Sequence, residues 1–309
     1  MAGILVVGFI FVDIKGFSAG HYVPAGRNVG SVRMIQGGVS RNVTENIANT
    51  KTPVTFVSLS DRDSALGGAA VERLARAGAD TTHIRMVPSG GIGQWMVILD
   101  ENGGVAGQIS SPPDRAALEA LVSGEGEALV RDADAVIVEL DTSEVIDQLI
   151  LGWAKKYGKP VYTVVGNMSV IAAHPEFVSA LDCFVCNEIE IGRLLGEALE
   201  SVSPEVMLAV LRANMEKLGC PAAIVTMGEK GSVYCDTRTG EAGVCPIVPV
   251  RLVDSTGAGD AYLSGVVMGL LRGLPLSSAA RAGAYLASAA ISTDESSIRP
   301  LPAFWEDFR

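Results

Sequence analysis

The stretch Asp254-Ser255-Thr256-Gly257-Ala258-Gly259-Asp260 runs straight into Ala261 to Arg272, an apolar segment of helical character. Small residues at 257 to 259 let the backbone approach a ligand closely, and the first N–H groups of a helix have no intrahelical partners. Such a turn is a ready anion site. Asp260 in the first helical turn adds a carboxylate beside it, where the helix dipole favours the ionised form. An ionised carboxylate next to an anion hole suits deprotonation of a hydroxyl while phosphate charge is neutralised. The plain alternative is a capped helix start, because Asp, Ser, Thr and Gly all favour such positions.

Upstream of this turn, short β-branched runs alternate with longer segments of helical period. Ile4 to Val12, Val54 to Leu59, Ala135 to Leu140, Val161 to Val165, Cys183 to Cys186 and Ala223 to Thr226 read as strands. Helices are expected over Asn42 to Asn49, Ser64 to Ala77, Glu144 to Tyr157 and Ser277 to Ser292. The clearest is Pro204 to Leu218, with Ser203 as N-cap, Pro204 at the first position and Gly219 just past the end. This alternation implies an α/β fold with a parallel sheet covered on both faces. Phe17 to Gln36 and Trp95 to Ile109 break the pattern and read as β material outside the main sheet, either a lid over a cleft or a decorative hairpin. The economical architecture is one α/β domain over 1–309 with a β lid from about 14–36 and 92–110.

Composition narrows the function. The 309 residues carry 24 Lys+Arg against 35 Asp+Glu, a net charge of −11 with no basic block. A nucleic-acid partner is therefore not expected, and any phosphate must be held by local dipoles or a metal. Five cysteines form no disulfide framework and point to a reducing cytoplasm. The apolar run Ile4 to Val12 is closed by Asp13 and has no preceding basic residue, so neither a signal peptide nor a membrane span is expected and the chain reads as soluble.

Further motifs share the order of a known family. Gly37-Gly38-Val39-Ser40-Arg41-Asn42, Gly78-Ala79-Asp80-Thr81, Asn187-Glu188-Ile189-Glu190, and Thr226-Met227-Gly228 followed by Gly231 precede the Asp254–Asp260 turn. Together they resemble the PfkB, or ribokinase-like, family of carbohydrate and nucleoside kinases over nearly the whole chain. The resemblance implies a three-layer α/β sandwich with a mostly parallel central sheet and a small β lid. It implies Asp260 as catalytic base, with Gly257, Ala258 and Gly259 as the anion hole for the transferring phosphoryl group. Asn187, Thr226, Gly228 and Gly231 are implied to bind ATP, and Glu190 to organise Mg²⁺ through water. Asp254 and Thr256 match positions that hold a monovalent cation, K⁺, in many members. Phosphoryl transfer needs this kind of positioning and neutralisation more than covalent help.

At the substrate end, Asp13, Gly37, Gly38 and Asn42 match the family's substrate-binding positions, and a carboxylate with an amide offers what a polyol requires. Many members have Asn two residues before that Asp, where this chain has Phe11. The Gly-Gly-Val-x-Arg-Asn form and Val12-Asp13-Ile14 are similar to pseudouridine kinases. A nucleoside and a simple sugar such as ribose or a ketohexose both stay open. By resemblance a homodimer through the lid is expected, motivated if Val29, Val32, Met34, Trp95 and Val97 form its exposed apolar face. The rival reading is a non-catalytic sugar or nucleotide sensor on the same scaffold.

Other constellations carry little. Cys183-Phe184-Val185-Cys186 has redox spacing but lies in a strand, and Cys220, Cys235 and Cys245 supply no second pair for zinc. His21, His83 and His174 are isolated, Trp95, Trp153 and Trp305 are scattered, and there is no Gly-x-Ser-x-Gly elbow, Walker lysine or dinucleotide fingerprint after the first strand.

Overall fold

A computed structural model describes residues 3–140, 142–165 and 168–308. Its strands are β1 (Ile4–Val7), β2 (Ile10–Ser18), β3 (Gly30–Gly37), β4 (Val54–Asp61), β5 (Ile84–Val87), β6 (Ile92–Leu99), β7 (Val105–Ser111), β8 (Ala135–Glu139), β9 (Val161–Val164), β10 (Phe184–Asn187), β11 (Ala222–Thr226), β12 (Ser232–Asp236) and β13 (Ala242–Cys245). The helices are α1 (Val39–Asn49), α2 (Ala65–Ala77), α3 (Arg115–Asp132), α4 (Glu144–Tyr157), α5 (Ser169–Ala173), α6 (Glu188–Leu195), α7 (Pro204–Leu218), α8 (Ala258–Leu271), α9 (Leu276–Ile291) and α10 (Phe304–Asp307).

The parallel order β5-β4-β1-β8-β9 continues through a bridge between Tyr162 and Cys183 into β10-β11-β12-β13, whose last two strands turn antiparallel. Both faces are covered. Ile4 and Val6 belong to the core layer that holds Ile47 of α1, Leu74 of α2, Val266 of α8 and Leu286 of α9, whereas Leu5 and Val7 belong to the layer that holds Leu121 of α3, Ile150 of α4 and Leu211 of α7. A strand buried on both faces has no polar side, which is why Ile4 to Val7 is unbroken apolar sequence. The fold is the expected α/β sandwich with a mostly parallel central sheet. The caps of α7 fall where the sequence places them, with Ser203 accepting from Val206 N and Gly219 ending the helix in the left-handed conformation, whereas Ser64, expected as the first helical residue, instead caps α2 by accepting from Gly67 N.

A second sheet, in the order β3-β2-β6-β7, stands apart from the first. It corrects the reading of Ile4 to Val12 as one strand, because the chain leaves the central sheet after Val7 and enters the second at Ile10. The crossing is tight. A Cβ on Gly8 would lie 2.0 Å from Ser40 Oγ and 2.6 Å from Glu139 Oε2, so only glycine lets the chain pass over the start of α1. Asp13 consequently lies within β2 of the second sheet rather than at the end of the first strand.

The expected apolar face of this sheet also needs correction. Asp13 is paired directly with Ile35 and Trp95, and Lys15 with Arg33 and Val97, so Trp95 and Val97 share the face of Asp13 and Lys15, and Val97 is buried. The opposite face carries the register row Met34, Ile14, Met96 and Ile109, in which Met34, Met96 and Ile109 are exposed. Period-two alternation decides both assignments.

Two helices start well before the expected residue and another was not expected. The helix α1 begins at Val39 and α8 at Ala258, each three residues early, while α3 was not anticipated because glycines interrupt its sequence. One of them, Gly126, packs under the Trp153 ring. All five cysteines are buried free thiols, and Cys183 and Cys186 belong to opposite core layers. Among the described residues no helix is long and apolar enough to cross a membrane.

Helices α8 and α9 pack through small residues, and a Cβ on Gly265 would lie 2.6 Å from Ala282 O and 2.7 Å from Gly283 Cα. Gly265→Ala should cost about 1–3 kcal/mol by overpacking, read as a lower midpoint in chemical or thermal denaturation. An unchanged midpoint is incompatible with this packing.

Candidate active site

Two helix N-termini converge under β2. Gly257 is the N-cap of α8, with φ of 79°, and a Cβ there would lie 2.1 Å from Ser296 O. Glycine is thus required both by the left-handed backbone and by the close approach of the 295–298 segment. Three residues on, the buried Asp260 accepts a hydrogen bond from Asn42 Nδ2 at 2.8 Å. Asn42 stands near the start of α1, whose N-cap Gly38 has φ of 97° and would place a Cβ 2.7 Å from Phe9 O.

The orientation of the Asn42 amide is dictated from behind. Arg41 Nη1 donates to Asn42 Oδ1 at 2.8 Å and to Gln36 O at 3.1 Å, which leaves Nδ2 to face Asp260. Arg41 also pairs with Glu45, which accepts from Arg73, and Arg73 reaches Glu295. Ser297 Oγ donates to Glu45 Oε2 at 2.7 Å, so this network, buried at Arg41 and Glu45 and partly exposed at Arg73 and Glu295, holds the segment that presses on Gly257.

Burial pushes the carboxyl of Asp260 up to about 7, opposed by the Asn42 hydrogen bond and reinforced by the nearby charge of Asp13. Asp13 is raised to about 6 by burial, with the positive charges of Lys15 and Arg41 working against the rise. Gly37 makes room for Asp13, because a Cβ there would lie 2.4 Å from its Oδ2. Asp13, Gly37, Gly38 and Asn42 therefore meet on one side of Asp260.

On the other side lies a cavity of about 470 Å³. Its walls include Thr226, Gly228, Gly231, Ala258 and Gly259, together with Tyr262, Ile247 and Val250. A Cβ built on Gly259 meets nothing within 4 Å, so the space over the first turn of α8 is open. Ala258 N donates to Ser255 O at 3.3 Å, a length at which the bond is weak. Asn187 is paired in register with Thr226 at the neighbouring strand end and caps α6. Asn187 Oδ1 accepts from Ile189 N and Glu190 N, and Glu190 Oε2 accepts from Asn187 N at 2.8 Å. Asn187 and Glu190 thus cap α6 reciprocally, and the Glu190 charge is still close enough to contribute to the raised pKa of Asp260.

Asp254 Oδ1 accepts from Thr256 N at 2.8 Å and from Thr256 Oγ1 at 2.7 Å, which shapes the turn ahead of Gly257. Lys15 Nζ donates to Thr256 Oγ1 at 2.8 Å and lies 3.5 Å from Asp254 Oδ2. Partial burial would raise the Asp254 carboxyl, yet Thr256 and Lys15 together hold it below its ordinary value. Lys15 and Arg41 were given no role by the sequence reading. The signal for Lys15 was present: a lysine two residues after Asp13 in an apolar strand shares its face. Arg41 was visible only as part of a motif. Among the described residues there is no cluster of three or more His, Cys, Asp or Glu side chains that could hold a metal.

Residues 1–303 match the model of the pfkB family of carbohydrate kinases. A guanosine-inosine kinase of Exiguobacterium acetylicum is 31% identical over 300 residues, covering 97% of this chain and 98% of that protein. A pseudouridine kinase of Escherichia coli (strain K12) is 22% identical, covering 94% of this chain and 91% of that protein. Among solved structures, Arabidopsis thaliana ribokinase, complexed with ribose and ATP, superposes with a TM-score of 0.82 at 23% identity, covering 100% of this chain and 99% of that one. With the fold and a whole-length family match in agreement, the chain belongs to the pfkB family of carbohydrate kinases, phosphotransferases acting on sugar or nucleoside hydroxyls.

Proposed function

We propose that this protein is an ATP-dependent nucleoside kinase whose acceptor is a purine ribonucleoside. The observation that carries the substrate class is the surround of Asp13. Phe11 lies on its face of β2 with the ring against Gly93, and Ile35 and Trp95 are its direct cross-strand partners. A carboxylate set among two aromatic rings and an aliphatic side chain suits a ribose carrying a flat base better than a free sugar, whose surface is polar all round. The likeness to a guanosine-inosine kinase supports purine over pyrimidine.

In this reading Asp13, Asn42 and the Gly38 backbone bind the ribose. Asp260, with Oδ2 held by Asn42, receives the proton of the acceptor hydroxyl at Oδ1. As the acceptor oxygen bonds to the γ-phosphorus, the bond from that phosphorus to the β–γ bridging oxygen breaks and ADP leaves. Amides of the Gly257–Gly259 turn neutralise the charge on the transferring group. The cavity bounded by Thr226, Gly228 and Gly231 is large enough for a nucleotide and meets the open first turn of α8, so the residues present fit ATP. Glu190, beside Asn187, would hold Mg²⁺ through water, and the ion supplies further charge neutralisation. The second sheet closes as a lid that excludes water as a competing acceptor. Its exposed row Met34, Met96 and Ile109 supports a homodimer through the lid. A sensor would have no use for a buried base beside open helix amides.

Measured as ADP release over pentoses, hexoses and nucleosides, guanosine and inosine should exceed ribose in kcat/KM by about 10²-fold. Trp95→Ala should raise the nucleoside KM by about 5- to 100-fold, the usual range for loss of one stacking partner. Ribose turned over as well as inosine refutes the nucleoside assignment. Because the base must be ionised and its pKa is raised to about 7, kcat/KM should fall with decreasing pH below that value. Asp260→Asn should lose about 10²- to 10⁴-fold in kcat while still binding ATP, and turnover within about a factor of three of the parent rules Asp260 out as the base.

A further inference from the structure

The side chain of Lys15 is 8% exposed and its ammonium rests on two oxygens of the turn that precedes the anion hole, Thr256 Oγ1 and Asp254 Oδ2. These are the two side chains that the family resemblance assigns to a monovalent cation. Here they already hold a positive charge supplied by the chain itself. We propose that Lys15 is a built-in monovalent cation for the Asp254–Thr256 turn, which makes phosphoryl transfer by this protein independent of K⁺.

Several observations converge on this role. Asp254, Asp260, Asp13 and Glu190 crowd negative charge around a site that must also accept phosphate, in a chain of net charge −11. Asp254 shapes the turn by accepting from both Thr256 N and Thr256 Oγ1, and it does so best as a carboxylate. A fixed cation at its second oxygen keeps it ionised without adding a ligand from solution. Free K⁺ has to compete with an ammonium tethered at high effective concentration on the same oxygens. Lys15 is 241 residues from Thr256 and sits on β2, two positions from Asp13 on the same face. The charge that steadies the anion hole is therefore delivered by the strand that carries the substrate carboxylate, and the second sheet is tied to the α8 turn. Lys15 is a positioning residue, since it acts on the turn rather than on the reacting atoms.

The proposal rests on reading this turn as the phosphate site, so the experiment has two separable arms. In thermal unfolding at equal ionic strength, wild type should show the same midpoint in KCl as in tetramethylammonium chloride. Lys15→Met should gain a rise selective for K⁺ or NH₄⁺, as expected when an ion binds only the folded state. In turnover, Lys15→Met should lose about 10²-fold in kcat with the acceptor KM within about threefold, and K⁺ or NH₄⁺ should restore much of the loss. Lys15→Gln, which keeps a donor but not the charge, should behave like Lys15→Met, and Lys15→Arg like wild type. A K⁺-selective midpoint or K⁺-stimulated turnover in wild type overturns the proposal. So does wild-type behaviour of Lys15→Gln, or a Lys15→Met protein that no monovalent cation improves in either arm. If no nucleoside is phosphorylated at all, the nucleoside reading fails, and the unfolding arm still decides the role of Lys15.

Discussion

Asn42 Nδ2 donates to Asp260 Oδ2 across 218 residues of sequence, and this one bond fixes the start of α1 against the start of α8. Everything the site does depends on that amide facing the right way. An asparagine side chain can present either its oxygen or its nitrogen, and only a second partner chooses between them. Arg41 chooses, by occupying Oδ1, and is itself fixed by Glu45 and the carbonyl of Gln36. Buried ionic networks of this kind are weak evidence of added stability, because desolvation offsets most of the attraction. Their value here is orientation: Arg41, Glu45, Arg73 and Glu295 leave Asn42 one arrangement, and Ser297 extends the same constraint to the segment behind Gly257.

A second constraint is the departure of the chain from the central sheet at Gly8. Because β2 belongs to the second sheet, its alternate residues Phe11, Asp13 and Lys15 face the cleft from above while α1 and α8 face it from below. One strand thus presents an aromatic surface, a carboxylate and an ammonium at a spacing of roughly 7 Å, the two-residue repeat of extended chain. Movement of that sheet would change all three at once, and Lys15 couples such movement to the Asp254–Thr256 turn.

The layered fold was legible because its signals are local. Unbroken apolar runs, the cap at Ser203 and the glycine ending α7 each follow from a few adjacent residues. The family resemblance, not the spacing of residues, implied that Asp13, Asn42 and Asp260 share one site, and the Asn42–Asp260 bond brings two of them together. What stayed hidden depends on long-range packing. The break after Val7 is invisible in sequence because Val and Ile continue on both sides of Gly8, and only the approach of Ser40 and Glu139 makes that glycine a crossing point. Exposure of Val97 was misjudged for a related reason: alternation tells which residues share a face, but not which face is covered. The alternation of β2 places Lys15 on the face of Asp13, and Arg41 lies within a motif, but their partners Glu45, Asp254 and Thr256 are brought to them only by the assembled helices and turn.

An acidic chain of a kinase family has to solve its electrostatics locally, and Asp260, the proposed base, shows how closely the terms are balanced. Burial and the charges of Asp13 and Glu190 favour the protonated form of Asp260, while the Asn42 bond and Arg41 favour the carboxylate, leaving the group near 7. A general base works best when its pKa lies close to the working pH, because a lower value weakens its pull on the proton and a higher one leaves too little of it ionised. Placing Asp260 at the third position of α8 adds the helix dipole on the side of the carboxylate. In the proposed mechanism the amides that would hold the incoming phosphate also stabilise the charge that removes the proton. On that proposal each of the two anions occupies the field that would otherwise help the other, and the positive groups of Arg41 and Lys15 let one helix end serve both.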